Sequence, residues 1–85
     1  MSLQTLCKAI GNQERVQLVL CLAQEASVSE LLGKCALGQS ALSQHLAILR
    51  EAGILRSRES GRNVYYRVAS AKYLSLAKSI ISLTH

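Results

Sequence analysis

The spacing of hydrophobic residues in the first part of the chain predicts two short helices. Apolar side chains recur three and four positions apart in residues 2–10, and Ser2 is a suitable N-cap. Gly11 and Asn12 interrupt this pattern, and Asn12 can itself cap a second helix that extends to about Gln24. The residues expected on the buried side of the second helix are Val16, Val19, Leu20 and Ala23.

Two further helices are predicted close together in the middle of the chain. Residues 27–30, SVSE, form a capping-box pattern, in which the serine hydroxyl accepts from the glutamate amide while the glutamate carboxylate accepts from the serine amide. The short helix that follows should end near Gly33, and a turn with Gly38 leads into residues 39–50, QSALSQHLAILR. Two helices joined by so short a connection indicate a helix-turn-helix.

The helix at residues 39–50 has an apolar side and an uncharged polar side. At 100° per residue, its leucines fall within about 60° of one another, and they are Leu42, Leu46 and Leu49. The opposite side carries Gln39, Ser40, Ser43 and Gln44, and no charged residue occurs before Arg50. A face that meets only water would be expected to carry Lys and Glu, so this face predicts a binding surface.

A change of period after Gly53 predicts a β-hairpin followed by a last helix. Residues 54–57 and 63–68 alternate with a period of two, and Ser60-Gly61 between them is a hairpin signal. Helical spacing returns over residues 71–84. The predicted fold is mainly α with a small β-hairpin, in the order α-α-α-α-β-β-α, as a single domain over residues 1–85.

Composition supports a small helical domain in the cytoplasm. The chain has 85 residues and no proline, and aromatic residues make up only 4%, so its core is expected to consist of Leu, Ile, Val and Ala. No apolar window reaches the ~18–20 residues of a membrane span, and no signal peptide is apparent. The three cysteines lack a C-x-x-C spacing, which fits a reducing compartment better than a disulfide framework.

The positive charge is concentrated in the last part of the chain. The net charge is +5; charges in residues 1–49 balance, so residues 50–85 carry the whole excess. Four arginines lie within residues 56–67. This patch is typical of a polyanion binder, although charge alone leaves open an ordinary basic surface that aids solubility.

A helix-turn-helix followed by a basic hairpin is a winged helix, whose second helix enters the major groove of DNA. Glutamine can pair with adenine through two hydrogen bonds, and serine can bond to base edges or to phosphate. Arg58 and Arg62 are expected to flank the hairpin tip and to reach phosphates or the minor groove. The predicted DNA-binding residues are Gln39, Ser40, Ser43, Gln44, Arg58, Arg62 and Asn63.

Three segments resemble the arsenic-repressor (ArsR/SmtB) family of small bacterial winged-helix regulators. They are LGQSALSQHLAILREAGIL in the helix-turn-helix, GRNVYYRV in the hairpin and GNQERVQLVLCL in the second helix. The resemblance implies a homodimer that binds operator DNA and represses transcription, often releasing the DNA when it senses a metal ion or an oxidant. The family's base-contacting positions match the four polar residues of the helix at residues 39–50.

The sensor motifs of that family do not carry over to this sequence. Metal-sensing members have a Cys-x-Cys pair where Ser27 and Ser29 stand, and hydroxyls are poor ligands for soft metals. A second family site uses Asp and His along the last helix, which here has no acidic residue and ends with His85. Redox-sensing relatives have a cysteine at the position of Leu32 and another near a C-terminus that this chain lacks. We therefore predict no metal, no cofactor and no small-molecule ligand.

The first and last helices are the predicted dimer interface, because the family dimerises through them and both carry apolar stripes. Their residues are Leu3, Leu6, Ile10, Tyr73, Leu74, Ala77, Ile80 and Ile81. The stripe of the last helix is also compatible with an intrachain core. A two-fold dimer would place its recognition helices about 34 Å apart and read an inverted repeat.

The remaining candidate residues give no support to catalysis. Ser43 and His45 diverge by about 200° on a helix and cannot form a nucleophile–base pair. For His45, packing or a structural hydrogen bond is favoured over a base contact. Cys7 and Cys21 are expected to be small buried side chains, whereas Cys35, beside Lys34 in the turn, is a candidate redox residue for which the sequence places no partner thiol.

The sequence is therefore compatible with two functions. The first is a sequence-specific DNA-binding regulator. The second is a winged-helix module that pairs with another regulator or blocks it. The basic hairpin and the uncharged helix face favour the first, and the second would bind no promoter fragment.

Overall fold

A computed structural model describes residues 1–84 and shows five helices and three strands there. The elements are α1 (Leu3–Ile10), α2 (Gln13–Cys21), β1 (Ala26–Ser27), α3 (Val28–Lys34), α4 (Gln39–Glu51), β2 (Leu55–Ser60), β3 (Asn63–Val68) and α5 (Ala71–Ser82). The predicted succession of helices and hairpin is confirmed, with β1 as an addition. His85 lies outside the described residues.

The predicted caps begin the helices where the sequence places them. The Ser2 hydroxyl accepts from the Thr5 amide at 3.1 Å, and the Asn12 side chain accepts from the Arg15 amide at the same distance. In the capping box, the Glu30 amide donates to the Ser27 hydroxyl at 3.2 Å and the Ser27 amide donates to the Glu30 carboxylate at 3.0 Å. Local side-chain chemistry therefore sets three of the helix starts.

Helix α2 is shorter than predicted. It ends at Cys21 rather than near Gln24, because the Leu22 amide is shared between the carbonyls of Leu18 and Val19 at 3.0 and 3.2 Å. Ala23 therefore follows the helix and is exposed, and its predicted place on the buried side is wrong.

The sheet is antiparallel, with strand order β1-β3-β2. Ser60 pairs with Asn63 across a turn of two residues. Gly61 in that turn has a φ of 61°, and a glycine at the first central position is typical of a type II′ hairpin. Strand β2 runs on to Ser60 instead of ending at residue 57, so Arg58 lies within a strand and not in the loop.

The core lies beneath α4 and is built mainly from leucines. The leucine stripe of α4 is fully buried, as predicted, and packs with side chains from α2, α3 and the start of the hairpin. The largest buried residues are Leu18, Val19, Leu22, Leu31, Leu42, Leu46, Leu49 and Ile54. Burying this stripe directs the opposite face of α4 toward solvent.

Arg15 on α2 connects three helices. Its Nε donates to the Ala9 carbonyl at 2.6 Å and its Nη2 to the Lys8 carbonyl at 3.0 Å, which satisfies the C-terminal end of α1. Its Nη1 lies 3.3 Å from Nδ1 of His45 on α4, and Nε2 of that ring lies 3.8 Å from Glu14. These contacts agree with the structural role expected for His45.

The expectation that Cys7 and Cys21 are buried is wrong, since both are exposed. Each lies two residues from a buried position, Ala9 in α1 and Val19 in α2. Two residues correspond to about 200° around a helix, so both thiols point away from the core.

Along the helices of residues 1–84, we find none that is long and apolar enough to cross a membrane.

Candidate nucleic-acid interface

The outer face of α4 carries the four polar residues singled out from the sequence. Gln39, Ser40, Ser43 and Gln44 are all exposed, and within residues 1–84 no hydrogen bond uses their side chains. Their amides and hydroxyls are therefore available to an external partner.

The surroundings of this face favour close approach by a partner. Ala41 and Ala47 flank the polar residues and are half-buried, so no long side chain projects beside them. Helix α4 has 13 residues, and Gly38 at its N-cap places no side chain over its first turn. A helix of this kind fits the width of the DNA major groove.

The hairpin tip presents Arg62 and Asn63. Arg62 is the second residue of the turn, Asn63 begins β3, and both are exposed. Because β2 packs against α4, the hairpin is carried directly on the helix that presents the polar face. Both predicted contact regions therefore lie on elements that pack against each other.

Arg58, which the sequence places near the tip, is bound within the chain. Its Nε donates to Oε2 of Glu25 at 2.8 Å and its Nη2 to Oε1 at 2.5 Å. Its guanidinium carbon also lies 4.7 Å from the ring centroid of Tyr65, a cation–π contact. The hydrogen bond from Arg58 lowers the pKa of Glu25 below its ordinary value, and Glu25 raises the pKa of Arg58.

Two arginines that the sequence reasoning did not select face each other across the hairpin. Arg56 pairs directly with Arg67 in the register of β2 and β3, and both are exposed. Like charges at directly opposite positions destabilise a sheet, whereas a polyanion would relieve their repulsion. The pairing of Arg56 with Arg67 could have been predicted from the sequence, because a two-residue turn after Ser60 fixes which residues of the two strands pair.

The predicted dimer surface is partly exposed apolar surface and partly core. Leu3 is 76% exposed, whereas Ala77 is fully buried by its own chain and has no surface to offer a partner. Leu83, just after α5, is 86% exposed. The other predicted interface residues are half-buried, namely Leu6, Ile10, Tyr73, Leu74, Ile80 and Ile81.

A cavity of about 520 Å³ opens between the terminal helices and α2. Ile10, Val16, Ile80 and Ile81 supply its apolar lining. It adjoins the half-buried stripes of α1 and α5, so the apolar surface at this end of the molecule is continuous.

The part of the chain that the structure describes contains no group of three or more His, Cys, Asp or Glu side chains that could hold a metal ion. Cys35 is half-buried at the end of α3 and does not lie on the polar face of α4.

Comparison with known proteins identifies similar regulators. Residues 12–57 match the family model described as "Bacterial regulatory protein, arsR family". The chain is 41% identical over 81 residues to the transcriptional activator HlyU of Vibrio cholerae, covering 94% of this chain and 71% of that protein. It is 34% identical to the crystal structure of the transcriptional repressor BigR from Xylella fastidiosa, with a TM-score of 0.84 over 94% of this chain and 83% of that one.

A third similarity concerns the fold alone. A solution NMR structure from Mycobacterium bovis is described as a homodimeric winged helix-turn-helix DNA-binding domain. It is 24% identical to this chain, with a TM-score of 0.83, over 95% of this chain and 76% of that one.

Proposed function

We propose a function for this protein from one premise: the chain belongs to the arsR family of bacterial regulatory proteins and is a DNA-binding transcriptional regulator. The proposed function is that of a homodimeric repressor that reads an inverted-repeat operator in the cytoplasm. The observation that carries the proposal is the face of α4, where four uncharged hydrogen-bonding side chains stand exposed above a fully buried leucine stripe.

In the proposed complex, α4 enters the major groove and supplies the sequence preference. Gln39 and Gln44 are the residues suited to adenine, since the side-chain NH2 of glutamine can donate to adenine N7 while its carbonyl oxygen accepts from the N6 amino group. Ser40 and Ser43 bond to base edges or to phosphate oxygens. The absence of charge on this face fits base reading, because lysine would bind any phosphate equally well.

The hairpin supplies affinity in this proposal. Arg62 and Asn63 at the tip contact the backbone or the minor groove, and the Arg56–Arg67 pair adds positive potential at the base of the hairpin. Arg58 joins these contacts only when a phosphate replaces its Glu25 partner. Contacts of this kind make binding depend on salt and contribute little to sequence preference.

Dimerisation through α1 and α5 would give the assembly two copies of the face that is proposed to bind DNA. The exposed Leu3 and Leu83 and the half-buried stripe of α5 form an apolar surface that a second copy could cover. The structure of similar fold from Mycobacterium bovis is described as homodimeric, which supports a dimer. A two-fold axis would place the two α4 helices about one turn of DNA apart, roughly 34 Å, so the operator should be an inverted repeat.

Selection of bound sites from random duplex DNA tests the proposal. The reduced full chain should enrich an inverted repeat whose half-sites lie about one helical turn apart. Recovery of half-sites without symmetry would contradict the dimer. Failure to enrich any sequence, together with a stable complex with another regulator, would favour the protein-interaction module.

Repression is tested separately by a reporter gene placed behind the selected operator. Expression should fall when the full chain is supplied and should return when the operator is scrambled. A rise in expression would instead show an activator.

A further inference from the structure

Cys21 and Cys35 come together although fourteen positions separate them in sequence. Cys21 is the last residue of α2, and Cys35 caps the C-terminal end of α3. Both line one surface cavity of about 550 Å³, whose other walls include Leu18, Lys34 and Leu37. The sequence places no partner beside Cys35, whereas the fold supplies one.

The two thiols differ in their access to solvent. Cys21 is exposed and Cys35 is half-buried. Burial raises the pKa of the Cys35 thiol, the neighbouring Cys21 raises it further, and Lys34 acts in the opposite direction. Cys21 is thus the more accessible of the two thiols, and Cys35 is the half-buried thiol that lines the same cavity.

The backbone at Cys35 is held firmly. Its amide donates to the Leu31 carbonyl at 2.8 Å, which closes the last turn of α3. Helix α2 and the turn after α3 therefore present their sulfurs from two ordered elements. An accessible thiol beside a second thiol is the arrangement that favours disulfide formation over further oxidation of one sulfur.

We propose that Cys21 and Cys35 form a reversible intrachain disulfide when the protein meets a peroxide, and that this bond weakens operator binding. The second part of this inference rests on the proposed function. It assigns to this chain a redox site between the end of α2 and the turn of the helix-turn-helix.

The reaction proceeds in two steps. The Cys21 thiolate attacks hydrogen peroxide, the O–O bond breaks, and a sulfenic acid and hydroxide form. The Cys35 sulfur then attacks the Cys21 sulfur, so that the S–S bond forms, the S–O bond breaks and the second oxygen leaves as water. Two thiols lose two electrons and one peroxide becomes two waters; a dithiol reductant reverses the bond by exchange.

The bond would act on α4 because Cys35 lies close to its start. Only residues 36–38 separate Cys35 from Gln39, the first residue of α4. A disulfide holds its sulfurs about 2.05 Å apart and the Cα atoms of its cysteines within about 7 Å. Drawing the turn toward α2 would move the first turn of α4, where Gln39 and Ser40 lie, out of register with the bases.

The first experiment asks whether the bond forms. The full chain carrying Cys7→Ser, which removes the exposed thiol of α1, is treated with hydrogen peroxide and its intact and peptide masses are measured. We expect a monomer that has lost two hydrogens and a linked peptide that joins Cys21 to Cys35. A Cys35→Ser variant in the same background should accumulate a sulfenic acid at Cys21 that dimedone traps.

Two results would overturn the site. One is a treated Cys7→Ser protein whose cysteines are oxidised singly or linked only between chains. The other is a Cys7→Ser, Cys35→Ser protein in which dimedone traps no sulfenic acid at Cys21 after peroxide, which would show that peroxide does not attack Cys21. Neither result depends on DNA.

The second experiment measures affinity for the selected operator duplex in both redox forms of the Cys7→Ser protein. We expect the oxidised form to bind at least about fivefold more weakly, the lower end of typical coupling between sites, and a dithiol to restore binding. The variant that also carries Cys21→Ser should show no loss after peroxide. Equal affinity of the linked and reduced forms would overturn the coupling, whereas a reduced protein that binds no duplex would overturn the proposed function and leave the mass result to decide the disulfide.

Discussion

Arg58 and Arg62 lie four positions apart in the hairpin, yet their surroundings differ. Arg58 donates two hydrogen bonds to Glu25 and lies over Tyr65, while Arg62 stands exposed in the turn. A phosphate can therefore meet Arg62 directly, whereas it must compete with a carboxylate for Arg58. Exposed ion pairs contribute little to stability, so that exchange is energetically accessible.

Glu25→Gln tests whether Arg58 can contact a DNA phosphate once its ion pair with Glu25 is removed. The variant removes a carboxylate beside Arg58 and Arg67, so affinity for random duplex DNA should rise and the slope of log K against log salt should steepen by up to about one. Fluorescence anisotropy at several salt concentrations measures both. Glu51→Gln, an exposed carboxylate at the end of α4, is the matched charge control. If both variants change affinity equally, only net charge matters.

Gln39→Ala and Gln44→Ala test base reading. Each lost base contact should weaken binding to the selected operator by about 1–3 kcal/mol, while binding to random duplex stays the same. Gln24→Ala, which removes an exposed amide outside α4, should change neither. Equal losses on operator and random DNA would contradict the assignment of sequence preference to α4.

At the scale of elements, α3 depends on a residue that serves two structures. Ser27 is 6% exposed, pairs with Tyr65 as part of β1 and also caps α3. Its capping box with Glu30 fixes where the first helix of the helix-turn-helix begins. The Ser27 amide, and then the Ser27 hydroxyl, lower the pKa of the Glu30 carboxyl by hydrogen bonding to its charged form.

Ser27→Ala should lower the free energy of unfolding by about 0.5–2 kcal/mol, the usual cost of losing an N-cap. Urea unfolding followed by circular dichroism measures the change. Ser29 is an exposed serine two residues after Ser27 and lies within α3. Ser29→Ala should therefore lower the free energy of unfolding by less. A similar loss in both variants would show that helix propensity, and not the cap, is responsible.

The same box predicts a response to acid. Because the folded pKa of Glu30 is lowered, its contribution is fully present above the ordinary value of 4.5 and is lost as the pH falls below it. Glutamine also completes a capping box but does not titrate. In urea unfolding, stability should therefore fall less steeply below that pH in Glu30→Gln than in the native chain, and parallel curves would contradict this account.

At the scale of the whole molecule, the exposed apolar residues and the polar and basic residues lie mostly on different elements. Leu3 and Leu83 remain exposed near the terminal helices, together with the apolar cavity beside Ile80 and Ile81. Among residues 1–84, the only exposed large apolar residue on α4 or the hairpin is Ile48 of α4, which is 39% exposed. This division would let a dimer form through the terminal helices without covering the proposed DNA-binding surface.

Leu3→Glu tests the dimer. Since Leu3 is 76% exposed, the fold should be retained, while a charge in the apolar interface should shift the sedimentation equilibrium toward monomer. Binding to the full inverted repeat should weaken, and binding to one half-site should not. Ala23→Glu, at an exposed position after α2, adds the same charge as a control; an unchanged oligomeric state in Leu3→Glu would exclude α1 from the interface.

Much of the fold could be predicted because it depends on near neighbours along the chain. The caps at Ser2, Asn12 and Ser27 act within three residues, and a helical or strand period shows which side chains share a face. The polar face of α4 follows from the same rule, since burying its leucines leaves the opposite side exposed. The local features that were misjudged are the end of α2, where competing carbonyls at Leu18 and Val19 decide the boundary, the end of β2, which runs on to Ser60, and the exposed thiols of Cys7 and Cys21.

The order of the elements, the caps at Ser2, Asn12 and Ser27 and the two faces of α4 can thus be derived from the amino-acid sequence alone, because short-range hydrogen bonds and periodicity depend on residues close together in the chain. Three other contacts became apparent only in the folded chain: β1 joins the sheet, Arg58 binds Glu25 and Cys21 lies beside Cys35. Each of these contacts joins segments whose separation in space depends on how the core packs. No spacing along the chain specifies that distance.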